Sequence, residues 1–299
     1  MRKPFLLSAI LLLSNYTLPA QRELKNPLIN SKEVIANAVA LHDKGKYKEA
    51  ITEYLKVPIS DTNYSQALNE LALSYYSDSN YVAAENCIQS GLELFPEKKA
   101  TWFRLLADIY DDTKHISEAL NMYDSILKMN PYDYLSYFNK GICFYRQERY
   151  DEALLCFQKC VTLNPYYSSG HYFLGVISML KGNMVQAMLS FTTDLLVMPG
   201  NRYMQKSVSF LSSIATVNTT VIDLLKKYKP GKEDDFEQLQ DIILNKIALD
   251  KKYKLKVDLE DQVVRQIQVM MEKLEYNEQD KGFWMQYYVP MFKKVWDDK

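Results

Sequence analysis

The sequence predicts an all-α fold, a solenoid of stacked helix pairs followed by a helical segment that does not repeat. Three observations carry this expectation. Alanines recur at Ala50, Ala84, Ala119, Ala153 and Ala187, at spacings of 34, 35, 34 and 34 residues. Prolines recur at Pro96, Pro131, Pro165 and Pro199, each 12 residues after its alanine. The composition is 47% hydrophobic and 24% charged, with only 9 Gly and 10 Pro in 299 residues, which suits helices better than a turn-rich β fold. A fixed period of this length is the mark of a repeat architecture, in which no unit buries its apolar face alone.

Other positions keep the same phase. Three residues before each alanine stand Tyr47, Tyr81 and Tyr150, with Ile116 and Met184 in the remaining two units. Four residues after it stand Tyr54, Ile88, Tyr123, Phe157 and Phe191. Twelve before it is always a small residue: Ala38, Ala72, Ala107, Gly141, Gly175. Three further on come Leu41, Tyr75, Tyr110, Phe144 and Ser178. Spacings of three and four place these side chains on one helix face. The small residues let the two helices of a pair approach, the aromatics fill the space between pairs, and Pro closes each unit because it cannot donate within a helix. The extra residue between Pro96 and Pro131 is expected in the loop Glu97-Lys98-Lys99, where it costs little.

Phe103-x-x-Leu106-Ala107-x-x-Tyr110, then Ala119, Tyr123 and Pro131, resembles the signature of the tetratricopeptide-repeat (TPR) family. Leu68-x-x-Leu71-Ala72-x-x-Tyr75 with Ala84 and Pro96 resembles it equally. The resemblance covers residues 31–200 and implies a right-handed α-solenoid of five TPR helix pairs, at 31–64, 65–98, 100–133, 134–167 and 168–200. It weakens at both ends. Thr62 stands where the first proline would fall, and 201–232 reads as a degenerate sixth pair, with Met204, Val208, Leu211 and Ile214 on one stripe and Val221, Leu224 and Leu225 on part of another.

The N-terminus has the parts of an export signal. Arg2 and Lys3 precede an apolar run from Phe5 to Leu13, and Leu18-Pro19-Ala20 leads into Gln21. A basic start, a short apolar core and a small exit residue predict a secretory signal peptide over residues 1–20 and an exported chain, periplasmic or secreted. The run is shorter than the roughly 20 apolar residues a bilayer span needs, so no transmembrane span is expected. Four cysteines, Cys87, Cys143, Cys156 and Cys160, read as thiols filling gaps between helices.

Past the break at Lys229-Pro230-Gly231, residues 233–299 lose the period. Phe236, Leu239, Ile243 and Ile247 suggest one helix. Asp258-Leu259-Glu260-Asp261 reads as the start of a second, carrying Val263, Val264, Ile267, Met270, Met271 and Leu274. Phe283–Trp296 is strongly aromatic, and Pro290 is expected to start a helix or kink one. So aromatic an end either caps the solenoid or docks a partner; the need of solenoid ends for cover favours the cap.

The resemblance also implies where a partner would lie: the concave groove lined by the first helix of each pair. By register its residues are Asn69, Leu73 and Tyr76, then Arg104, Asp108 and Asp111, then Phe138, Ile142 and Tyr145, then Tyr172, Val176 and Met179. Asp108 and Asp111 oppose an anion, so capture of a peptide's terminal carboxylate is not expected. The apolar and aromatic half suits an amphipathic helix, a partner's or one from this chain's own C-terminal segment. No catalytic constellation, metal set or cofactor motif stands out: the three histidines, His42, His115 and His171, fall in different repeats, and His171 takes an aromatic packing position. A formal net charge of −1 gives no basic field for nucleic acid. The expected function is a non-enzymatic scaffold or adaptor of the cell envelope that binds a protein or peptide. The alternative is a structural accessory subunit of an envelope assembly without a free groove. Membrane association, in either case, would run through such a complex. Intact-mass measurement of the exported chain should find Gln21 as the first residue; an N-terminus still carrying Arg2 and Lys3 rules the signal out.

Overall fold

The computed structural model describes residues 29–228, 234–250, 252–254 and 260–298. The expected signal peptide at 1–20 and the break at Pro230-Gly231 lie outside the described residues. Described are fifteen α-helices and two short 3-10 turns: α1 Ser31–Asp43, α2 Tyr47–Tyr54, α3 Tyr64–Ser77, α4 Tyr81–Leu94, α5 Lys99–Asp112, α6 Ile116–Met129, α7 Tyr134–Arg146, α8 Tyr150–Leu163, α9 Ser168–Leu180, α10 Met184–Val197, α11 Met204–Thr216, α12 Thr219–Lys227, α13 Glu237–Leu244, α14 Gln262–Lys273 and α15 Phe283–Asp297. Among the described residues there is no strand. The fold class is the all-α solenoid of TPR helix pairs with a non-repeat helical end.

Each pair closes through the same turn. In all five first-to-second-helix turns one residue has positive φ: Gly45, Ser79, Lys114, Glu148 and Gly182, at 74°, 59°, 67°, 59° and 79°. The next residue's N–H then reaches back five positions, as Lys46 to Leu41 O, Asn80 to Tyr75 O, His115 to Tyr110 O, Arg149 to Phe144 O and Asn183 to Ser178 O, at 2.7 to 3.0 Å. This is the left-handed helix stop that satisfies carbonyls left open by the last turn. Only two of the five positions are glycine, so the motif is hidden in the sequence. The second helices end at Leu94, Met129, Leu163 and Val197, each two residues before its proline. The extra residue of the third unit joins a 3-10 turn, Pro96–Lys98, that runs straight into α5 at Lys99.

The chain divides into two compact units, one up to Ile109 and one from Tyr110 onward, with the division inside α5. In the first unit α1 to α4 stack in sequence. Their core holds Ile35, Tyr54, Leu68, Leu71, Ile88 and Trp102. Gly91 permits it: a Cβ there would stand 2.4 Å from the buried Trp102 ring.

In the second unit α6 to α11 stack in the same way. A Cβ at Gly141 would lie 2.7 Å from the Phe157 ring, and one at Gly175 2.7 Å from Phe191. Neighbouring pairs are tied at their rims by Arg146 to Asp111 and Asp112, Lys140 to Asp124 and Lys181 to Asp151. The dipeptide Asp111-Asp112 thus serves an arginine of the next pair. Asp194 is a buried acid at a position where the other repeats carry Val57, Gly91, Ile126 and Cys160. It accepts from Ser207 Oγ at 2.6 Å and Asn201 Nδ2 at 2.8 Å, tying α10 to α11; burial raises its pKa. The four thiols are free, and burial pushes those of Cys143 and Cys160 up to about 12.

Three expectations for the end of the chain need correction, at Ile247, at the start of α14 and at Pro290. In the degenerate sixth pair α11 and α12 meet at a 78° bend, and α14 as well as α12 packs on α11. The bend follows from Val217, which stops α11 in the left-handed region at φ 46°. Ile247 leaves α13 for a 3-10 turn, Ile247–Leu249, because Lys246 adopts positive φ. α14 starts only at Gln262, where Asp261 caps the Val264 N–H at 2.9 Å. Pro290 starts no helix; α15 runs through it, with the proline on the exposed face.

An L-residue in the left-handed region costs about 1–2 kcal/mol, against roughly 0.5–1 kcal/mol of added chain entropy for Gly. Ser79→Gly and Lys114→Gly should therefore each stabilise the chain by about 0.5–1 kcal/mol in urea titration. A lower urea midpoint for either variant contradicts this account of the turn.

Candidate functional site

The candidate groove positions fall into two groups, one in each unit. In the first unit Asn69 and Tyr76 on α3 and Arg104 and Asp108 on α5 are all half-buried. Tyr76 sits 6.0 Å from the Tyr81 ring. Arg104 and Asp108 are one turn apart on the same helix, a spacing at which opposite charges attract. In the second unit the positions divide by depth. Phe138, Tyr172, Val176 and Met179 are buried, at 5%, 6%, 9% and 4% exposure. Ile142 and Tyr145 are half-buried.

Packing explains Phe138 and Tyr172. Phe138 lies among the rings of Phe157, Tyr167 and Phe173, at 5.6, 5.0 and 5.8 Å. Tyr172 stacks flat on Tyr203 at 4.1 Å and touches Phe191 and Phe210. Such offset and edge-on aromatic contacts hold a core together. These two side chains join successive pairs and offer little surface to a partner, which corrects their reading as groove wall.

Val176 and Met179 have a different cover. At the matching first-helix positions, Leu73 and Tyr76 in the second repeat and Ile142 and Tyr145 in the fourth are half-buried. Only in the fifth repeat are both buried, and there α12 packs on α9. Val221 of α12 is fully buried, and Leu224 and Leu225 pack on the same core as Ile142, Tyr145 and Tyr150. The end of α12 lies within electrostatic range of the turn between α7 and α8. There Lys227, whose pKa is raised chiefly by a hydrogen bond to Tyr228, also feels the charge of Glu148. The sequence showed the stripe Val221, Leu224 and Leu225, but a stripe carries no address.

The aromatic end docks on the fifth pair. α15 packs against α10 and α14. Trp284 Nε1–H donates to Ser190 Oγ at 3.0 Å, and Tyr287 Oη–H to the Val161 carbonyl at 2.8 Å. His171 lies between Tyr288 and the Pro165 carbonyl, at 2.6 and 2.8 Å. A carbonyl only accepts, so Nε2 carries the proton and Nδ1 accepts from the Tyr288 hydroxyl. Ser190 also hydrogen-bonds Tyr288. Trp284, Ser190, Tyr288 and His171 are all buried, so this is a satisfied polar chain at the heart of the docking contact. α13 adds Gln240, whose Oε1 accepts from the first N–H of α10, that of Met184, at 2.9 Å. His171 therefore packs, as its repeat position indicated.

No group of His, Cys, Asp or Glu among the described residues has the geometry to hold a metal. Among the described residues no single helix is long and apolar enough to cross a membrane.

Residues 134–167, the α7–α8 pair, match the family model described as Tetratricopeptide repeat. Over 191 residues the chain is 24% identical to Hsp70-Hsp90 organizing protein 1 of Glycine max, covering 62% of this chain and 30% of that protein. Over 154 residues it is 23% identical to Anaphase-promoting complex subunit 3 of Schizosaccharomyces pombe, covering 52% of this chain and 23% of that protein. The chain thus spans less than a third of the length of these curated relatives. A thermophilic TPR protein of Thermus thermophilus shares the fold at 15% identity, with a TM-score of 0.52, over 61% of this chain and 99% of that one.

Burial lowers the His171 pKa from 6.5 to about 4, and the Pro165 hydrogen bond only partly opposes this. Between those values the unfolded chain takes up a proton that the folded chain refuses. The contribution is complete above pH 6.5 and is lost as pH falls through about 4; its full size is on the order of 3 kcal/mol. Urea unfolding of the full chain should therefore lose stability between pH 6.5 and 4, and His171→Gln should flatten that slope. An unchanged slope in the variant would place the titration elsewhere.

Proposed function

We propose that this chain is a non-enzymatic protein-interaction scaffold, exported to the cell envelope, that takes a partner's amphipathic helix or peptide on the first-helix face of its repeats. The observation that carries this reading is the pair Ile142 and Tyr145. They are half-buried on α7, whereas their equivalents Val176 and Met179 are buried on α9, the helix on which α12 packs. An apolar first-helix surface that takes a helix in one repeat is chemically suited to take one in the next, with the same i, i+3, i+4 anchors. Within the first unit, Leu73 and Tyr76 are likewise half-buried apolar or aromatic first-helix residues. The relatives' names, an Hsp70-Hsp90 organizing protein and an anaphase-promoting complex subunit, agree with a role in assembly. Export and the envelope rest on the N-terminal pattern of Arg2, Lys3 and the apolar run that follows.

The covered fifth repeat favours a second reading, an accessory subunit built into an envelope assembly without exchange of partners. The two differ in what the mature chain captures. Affinity capture from envelope extracts should give exchangeable partners that Ile142→Glu with Tyr145→Glu reduces at least about tenfold, while thermal stability is kept. One stoichiometric complex insensitive to both substitutions favours the subunit. No captured protein at all defeats both readings.

A further inference from the structure

We infer that α12 is an internal ligand: it lies on the first helix of the fifth repeat, with its C-terminal end directed toward the turn of the fourth, and is displaced by a partner helix of the same pattern that extends onto Ile142 and Tyr145. The inference rests on the groove reading above and names the chemistry of what the groove takes.

Four features single α12 out. It is nine residues long, and an isolated helix of that length is not stable in water. Only one of its side chains, Val221, is fully buried; Ile222, Asp223, Lys226 and Lys227 are exposed. It is thus among the least anchored helices of its unit, the kind of element that opens locally. It enters through Val217 at φ 46°, a conformation a β-branched residue rarely adopts, and turns 78° from α11. Its seat is not the one a sixth repeat would use, because it packs on α9 as well as α11, while α14 packs on α11. The fit is also chemical. Apolar residues at Val221, Leu224, Leu225 and Tyr228 follow the spacing of a groove-bound helix, and Lys227 in its basic last turn feels the charge of Glu148. The matching partner is a short amphipathic helix with a Val-x-x-Leu-Leu-x-x-Tyr face and a basic C-terminal turn.

The test uses the full mature chain and one probe: a fluorescent peptide of residues 218–228, stapled across the exposed positions 222 and 226. In the wild type α12 competes with the probe. Val221→Asp with Leu224→Asp frees the face, and the probe should then bind about tenfold tighter or more, as expected when a site was mostly occupied. Amide exchange across 219–228 should rise in that variant while α9 and α10 stay protected. Lys227→Glu, a surface change that leaves the core alone, should weaken the contact in the same direction by a smaller factor. Adding Ile142→Glu and Tyr145→Glu to the freed variant should abolish binding. Equal probe affinity in wild type and freed variant overturns the inference, as does binding that ignores Ile142 and Tyr145. If the freed variant binds no probe but protein capture still depends on Ile142 and Tyr145, α12 is no ligand mimic and the scaffold reading stands alone.

Discussion

The close approach of the two helices within each pair is the constraint on which the rest depends. Gly141 and Gly175 leave room for the rings of Phe157 and Phe191, and any Cβ would stand within 3 Å of them. Burying such a ring is worth about 1.5–3 kcal/mol, and no repeat has enough apolar surface to secure it alone. Within the second unit each pair therefore leans on the next. Phe138, Tyr167, Phe173, Tyr172, Tyr203 and Phe210 form an unbroken run of ring contacts from α7 to α11. The aromatics that resemble a binding surface are first of all the cement of the stack.

Much of this was legible because it is periodic. The structure puts each alanine from Ala50 to Ala187 inside a second helix, and each proline from Pro96 to Pro199 two residues past the end of one. The left-handed turns were not legible: Ser79, Lys114 and Glu148 carry no glycine signal, and only the repeated five-residue hydrogen bond exposes them. The groove was legible as a set of positions but not as a depth. Phe138 and Ile142 lie four residues apart on one helix, yet one is buried by rings of the same and the next pair and the other is not. Where the period stops, helix type survived in the stripes and address did not. Val221, Leu224 and Leu225 read the same whether they face α11 or α9, because amphipathicity names a face and not its neighbour.

The aromatic end illustrates how a contact becomes specific. Apolar burial alone would let Trp284, Tyr288 and Phe292 settle in several ways. The hydrogen-bonded run from Trp284 through Ser190, Tyr288 and His171 to the Pro165 carbonyl admits one arrangement, since any slip strands a buried donor or acceptor. Holding His171 neutral is part of that arrangement.

Asp194 bears on how such an array grows. A repeat protein lengthens by duplicating a unit, and a copy is tolerated only where its buried groups find partners again. The fifth unit carries Asp194, answered by Ser207 and Asn201, and His171, answered by Tyr288. Copied inward, both would meet an ordinary repeat and be left buried and unanswered. The units before it carry no such obligation: at these two positions the fourth has Tyr137 and Cys160 and the third has Phe103 and Ile126. The solenoid thus has a fixed end and a free end, and lineages of this protein should differ in repeat number on the N-terminal side of the fifth pair.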